Sequence, residues 1–156
     1  MPDQAFLALD FVARLGQEAG AAAVARGVCR LFDAMGHVAI VELPLDSGHR
    51  ADVVGLDAAG RFTIVEIKSS AEDLRADHKW PAYLEHCDQF YFAVPLGFPV
   101  ELLPAEHGLI VADRYGAEVV RPPAALALTP ARRRRMTLRF ARAAAARLRR
   151  LEDPPV

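Results

Sequence analysis

The sequence is short of lysine. Of its 19 basic residues only Lys68 and Lys79 are lysines, the rest being arginine. Arginine keeps its charge at any working pH, whereas a lysine amine is compact and shifts its pKa readily. In a chain that uses arginine wherever a permanent charge suffices, each lysine is a candidate for chemistry. Cysteine is scarce as well. Cys29 and Cys87 stand far apart in half-apolar segments that read as helical, which suits free thiols in a reducing cytoplasm and argues against a disulfide framework. The longest apolar stretch, Phe90 to Val100, is broken by Pro95, Gly97 and Pro99 and falls short of the about 18 residues that suggest a membrane helix. Met1 to Gly16 opens without a basic cluster and carries Asp3 and Asp10, so no signal peptide is expected.

What is present fits one compact domain over 1–156. The 156 residues are 53% hydrophobic and 25% charged, with a mean hydropathy of +0.12. A chain of this length buries roughly 68 to 70% of its unfolded surface, enough for a core without a structural metal. Its net charge of -1 conceals a division. Residues 121–150 hold ten arginines and no acid, a charge of +10, while residues 1–120 sum to -9. A polyanion would therefore meet two very different faces.

Apolar spacing predicts helices over 5–15 and 19–35, ended by Gly16 and Gly36. From His37 the pattern shifts to β-prone runs at 38–45, 51–56 and 61–68, separated by Asp46-Ser47-Gly48 and Asp57-Ala58-Ala59-Gly60, an antiparallel meander. Ser69 or Ser70 can cap a helix opening Ala71-Glu72-Asp73, and Pro81 suits the first turn of a second helical piece ending near Cys87. A fourth strand over 89–94, reached by that crossover, should run parallel to the third. Further strands are expected at 108–113 and 117–121. Met136, Phe140, Ala144, Leu148 and Leu151 then share one face of an arginine-rich helix over about 130–151, which should dock on the body. The fold class is α/β with a mixed sheet, its core spanning about residues 20–121.

The third strand places Glu66 and Lys68 on the face that carries Phe62 and Ile64. A three-residue loop with Gly60 in the left-handed position pairs Asp57 with Arg61, and hence Asp52 with Glu66. The same logic at Gly48 pairs Leu45 with His49 and Glu42 with Asp52, giving a row of three carboxylates. Clustered anions resist desolvation unless a cation neutralises them. Oxygen ligands favour Mg²⁺ or Mn²⁺, and Mg²⁺ is commonly held by one or two carboxylates together with phosphate oxygens. Lys68 would then position or deprotonate the attacking water, or steady charge on the scissile phosphate. The plain alternative for a Glu-x-Lys strand is a solvated face whose ion pair contributes about 0 to 1 kcal/mol.

Asp52 on one strand and Glu66-Ile67-Lys68 on the next resemble the PD-(D/E)xK nuclease superfamily. More narrowly, Arg50-Ala51-Asp52-Val53, Val65 to Ser70, Asp77-His78-Lys79-Trp80-Pro81 and Cys87 to Pro95 look like the MmcB family of bacterial DNA repair proteins, over about residues 20–145. The resemblance implies an αβββαβ restriction-endonuclease-like core, here with extra C-terminal strands and the basic helix. It implies a metal-dependent DNA endonuclease with Asp52 and Glu66 as ligands. The superfamily's proline before the Asp is Ala51 here. Its early Glu often lies on the first helix, where Glu18 stands, and Glu42 is preferred as the third carboxylate. Lys79 is the candidate supporting residue on the crossover.

Several features stay open on sequence alone. His49 and Arg50, just before Asp52, could contact phosphate or be ordinary hairpin polar residues. Arg132, Arg133, Arg134 and Arg135 are expected to bind DNA, against the alternative of pairing with the acidic body. Arg26 and Arg30 could line the same DNA channel or be solvated. Trp80 is assigned to the core, and the scattered histidines form no zinc pattern. Two functions remain: a Mg²⁺-dependent or Mn²⁺-dependent endonuclease of bacterial DNA repair, or a catalytically inactive nuclease-fold module that binds DNA or recruits a repair partner. The DNA acted on would be branched or damaged, and a homodimer would serve a double-strand cut. No membrane partner is expected.

Overall fold

The computed structural model describes residues 20–156. The helix expected over 5–15, and Glu18, lie outside them. Helix α1 covers residues 20–34 and is followed by strands β1 (Val38–Pro44), β2 (Arg50–Leu56) and β3 (Phe62–Ile67). The crossover consists of helix α2 (Ala71–Ala76) and a 3₁₀ segment, Trp80–His86. Strands β4 (Gln89–Val94), β5 (Gly108–Ala112) and β6 (Ala117–Arg121) precede the long helix α3, Pro130–Glu152. Ser70 is the α2 cap, its hydroxyl accepting from Asp73 N at 3.1 Å. The second helical piece is 3₁₀ rather than α, with Pro81 in its first turn as expected.

The six strands lie in sequence order, β1 to β6. The meander β1, β2, β3 is antiparallel, β3, β4 and β5 run parallel, and β6 returns antiparallel. The sheet is therefore mixed, as the sequence pattern implied. Every residue of β3 is buried, because this central strand is covered on both faces. On one side Val24, Val28 and Phe32, spaced four apart along α1, pack on Val53, Val65 and Ile110. On the other, Tyr83, Met136 and Phe140 cover Ile64, Phe90 and Phe92. Trp80 joins that second core, stacked on Phe90 at 5.9 Å and edge-on to His107 at 5.0 Å.

Close approach of α1 to the sheet depends on Gly27. A Cβ there would lie 2.0 Å from the Asp113 carbonyl oxygen and 2.4 Å from that of Gly116, so only glycine lets the helix rest on the β5–β6 turn.

Helix α3 docks through its first half. Met136 and Phe140 are buried, but Ala144, Leu148 and Leu151 are exposed, so the apolar face read from the spacing is used only in part. Beyond Phe140 the helix runs along the free edge of β1, where Arg147 Nη2 donates to Glu42 O at 2.8 Å and Nη1 to Val41 O. Those bonds satisfy carbonyls that an edge strand leaves unpaired.

Candidate active site

The β2–β3 register places Val53 opposite Val65 and Leu56 opposite Phe62, the alignment that makes Asp52 and Glu66 neighbours. Regular pairing stops at Val53, and beyond it Asp52 Oδ2 accepts from Ile67 N at 2.8 Å. A side chain thus takes over the ladder's hydrogen bond where the strands part. The β1–β2 register is also the expected one, Leu43 facing Ala51. Yet Ile40 and Leu43, three apart, pack in the same core, as do Ala51 and Val54. Strict alternation would put each pair on opposite faces. The break falls at Glu42, whose φ of 52° is left-handed.

That break undoes the row of three. Glu42 is exposed and its carboxylate turns to Arg50 at 3.4 Å, leaving the buried Glu66 and the half-buried Asp52 as the acid pair. Among the described residues no group of three or more His, Cys, Asp or Glu side chains is arranged to hold a metal. Two carboxylates nevertheless suit a Mg²⁺ ion that keeps water and takes phosphate oxygens. The donor set supports that fit, for Glu66 Oε2 is buried and has no hydrogen-bond partner.

Lys68, just past β3, is 3% exposed. Its Nζ lies 3.1 Å from Glu66 Oε1, 2.5 Å from Asp77 Oδ2 and 4.0 Å from Asp73 Oδ1. Both added acids belong to the crossover. Asp73 Oδ2 accepts from Ser69 N at 3.1 Å, and Asp77 Oδ1 from Lys79 N at 2.7 Å. Asp73 and Asp77 escaped the sequence reading because their role depends on how α2 folds back over the end of β3. The available signal was the serine cap followed by acids in the first turn.

Electrostatics follow from burial and crowding. Burial, then the Asp52 charge, pushes the Glu66 carboxyl up to about 8. Burial raises Asp52 as well, against the pull of Ile67 N and Lys68. Burial disfavours the Lys68 ammonium, but Glu66, Asp77 and Asp73 outweigh it and raise the amine. Asp77 is also opposed by burial, yet the Lys68 and Lys79 N hydrogen bonds hold it low. Tyr83, whose hydroxyl donates to Arg50 O at 3.0 Å, is raised by burial and by the nearby Glu66, Asp52 and Asp77 charges.

The other expected residues are dispersed. Arg50 lines the cavity with Asp52, Glu66 and Lys68, as do Glu42 and Arg26. His49 sits edge-on to Tyr83 at 6.2 Å, outside that lining. The Lys79 side chain is exposed and also outside it; only its backbone supports the site, through Asp77. In α3 the arginine run divides. Arg132 pairs with Glu85 at 3.5 Å and Arg135 with Asp46 at 3.8 Å, while Arg133 is locked onto Asp88 at 2.7 Å. Arg134 is exposed and makes no ion pair with a described residue. Pairing with the acidic body, the alternative weighed from the charge division, thus accounts for three of these four.

The six-stranded mixed sheet and its C-terminal helix make this a single-domain α/β protein, with an acid pair beside a buried lysine at the parted end of two strands. The profile of the MmcB-like DNA repair protein family matches residues 11–155, and the chain belongs to that family. A solved structure from Silicibacter pomeroyi, the SPO1766 protein of unknown function, is 47% identical, with a TM-score of 0.83 over 86% of this chain and 92% of that one. No curated protein matches. Among the described residues no helix is long and apolar enough to cross a membrane.

Proposed function

We propose that the protein is a metal-dependent DNA endonuclease acting in DNA repair, hydrolysing phosphodiesters at Asp52, Glu66 and Lys68 on a PD-(D/E)xK-type, restriction-endonuclease-like core. The observation that carries this reading is the buried, unpartnered Glu66 Oε2 beside Asp52 and the Lys68 ammonium. Burial and the Asp52 charge make the ionised form of Glu66 costly, and a cation held between the two acids would offset that cost. The DNA and the repair context come from the family to which the chain belongs.

Asp52 and Glu66 would hold Mg²⁺ or Mn²⁺, which when bound polarises the phosphate and acidifies water. Asp52 is oriented for this by Ile67 N. Lys68 is held by both Glu66 and Asp77, so its ammonium is preorganised to meet negative charge developing on phosphate oxygen. Lys68 supplies a donor and positive charge beside the acids. Burial of Glu66 and Lys68 keeps competing water from these charges.

The test is incubation with single-stranded, duplex, flapped and branched DNA, in Mg²⁺, in Mn²⁺ and in chelator, beside Lys68→Ala. Metal-dependent cutting lost in the variant supports the reading. DNA binding by both proteins without cutting by either overturns it and leaves a nuclease-fold recruiting module.

A further inference from the structure

The acid pair lines a cleft of about 810 Å³. One wall is α1, which contributes Ala21, Ala25 and Arg26; the other is the β1–β2 end, with Val41 and Arg50. On the floor Glu66 is 6% exposed and Lys68 3%, and Glu66 Oε2 has no partner. We propose that this cleft takes an unpaired DNA strand, with Arg26 and Arg50 as its phosphate contacts, so that single-stranded segments or strand ends are the substrate class. The proposal rests on the phosphodiesterase reading and adds to it which DNA enters.

The argument is one of reach. An intact duplex is stiff over about 150 base pairs, and each of its phosphates is flanked by the paired nucleotides of its own strand. Glu66 and Lys68, so little exposed, are reached more readily by a phosphate whose neighbouring nucleotides have left the helix. Enzymes with enclosed sites achieve this by acting on single strands or by extruding the nucleotide. The alanines of α1 leave room for a sugar–phosphate chain, and the cleft lining holds no aromatic side chain for stacking. Recognition is then chiefly of the backbone, without sequence preference.

The charges agree with this placement. Arg26 makes no ion pair with a described residue, and the Arg50–Glu42 contact is exposed on both sides, 62% and 60%, so it yields readily to a phosphate. By contrast Arg132, Arg133, Arg135 and Arg139 of α3 are already paired with Glu85, Asp88 and Asp46. Of that run only Arg133 is held by a buried acid, Asp88, so the cleft arginines are singled out by lying beside the acid pair rather than by being the only free ones.

Fluorescence anisotropy on the full chain in chelator, where no cutting occurs, tests the assignment. The probes are one labelled oligonucleotide and the blunt duplex made from it. Several-fold tighter binding of the single strand is expected, with Arg26→Gln and Arg50→Gln each weakening it and lowering the salt slope by about 0.7, the contribution of one phosphate contact on a single strand. Equal or tighter binding of duplex overturns the proposal, as does unchanged affinity in a folded Arg26→Gln protein. Cleavage is scored separately in Mg²⁺ and Mn²⁺. A strand bound in the cleft but never cut refutes hydrolysis and keeps the cleft assignment, whereas cutting confined to duplex does the reverse.

Discussion

Arg133 grips Asp88 with both prongs of its guanidinium, Nη1 to Oδ2 at 2.9 Å and Nη2 to Oδ1 at 2.7 Å. Asp88 is 7% exposed and also accepts from Phe62 N at 2.8 Å and Leu128 N at 3.3 Å. One carboxylate thereby ties the start of β3, the approach to β4 and the chain before α3 to the helix itself. Two parallel bonds of this kind fix orientation as well as adding energy.

Replacing Asp88 with Ala leaves two backbone donors without a partner and Arg133 with only the Gly60 carbonyl, at 2.7 Å from Nη1. Breaking a buried pair costs 3 to 5 kcal/mol; because the Arg133 side chain keeps 35% exposure, about 3 kcal/mol is expected at pH 7. Burial pulls Asp88 upward, but the bonds from Arg133, Phe62 N and Leu128 N outweigh it and hold it low. Its contribution is therefore complete above the unfolded carboxylate value of about 3.9 and is lost as pH falls through the lower folded value. Urea unfolding curves of wild type and Asp88→Ala should lie apart at neutral pH and converge in acid.

Glu66 shows the opposite sign. Its folded carboxyl titrates near 8, against an ordinary value of 4.5, so between those values the folded state binds the proton more tightly than the unfolded one. Metal-free protein should lose stability as pH rises across that window and level off above it. Glu66→Gln removes the charge and should flatten the profile, melting higher than wild type at pH 8. A profile that rises over the same range in wild type would contradict the crowded acid pair.

Much of this was legible in the sequence, for local reasons. Gly48 and Gly60, with φ of 84° each, fix tight turns, and a turn of known length fixes register, so the adjacency of Asp52 and Glu66 could be counted along the chain. Glu42 defeated the count. The register was right, but a left-handed residue within an edge strand breaks alternation, at carbonyls that Arg147 binds from over a hundred residues away. Asp77 was hidden for a similar reason, since nothing local says that α2 turns its C-terminal end towards Lys68. The arginine run could be read only in part. Composition registers charge, whereas availability depends on which acids of the folded body lie opposite.

Gly27 offers a test of how α1, one wall of the cleft, is seated. Gly27→Ala places a methyl group against the Asp113 and Gly116 carbonyls at distances no relaxed contact allows, and backbone on both sides leaves no flexible side chain to yield. Overpacking of this kind costs about 1 to 3 kcal/mol or more. A marked fall in melting temperature is expected, against little change for Gly36→Asn, because Gly36 has φ 75° and open space around it, a conformation asparagine tolerates.

Asp77 separates a lysine that is held in place from one that is merely nearby. Asp77→Asn keeps a side chain able to accept from Lys79 N but removes the charge 2.5 Å from Lys68 Nζ, leaving the ammonium to Glu66 and the more distant Asp73. Outer partners of a metal site typically contribute 10-fold to 100-fold to activity, and a fall of about that size in cutting is expected with strand affinity preserved. The pH profile distinguishes positioning from simple structural support. Asp77 helps keep the Lys68 amine high, so the variant should lose activity at a lower alkaline pH than wild type does. Lys79→Ala, which alters only an exposed side chain on the same turn, should cut as well as wild type. If Lys79→Ala is inactive while Asp77→Asn is not, the lysine on the crossover does the work and the geometry around Lys68 has been misjudged.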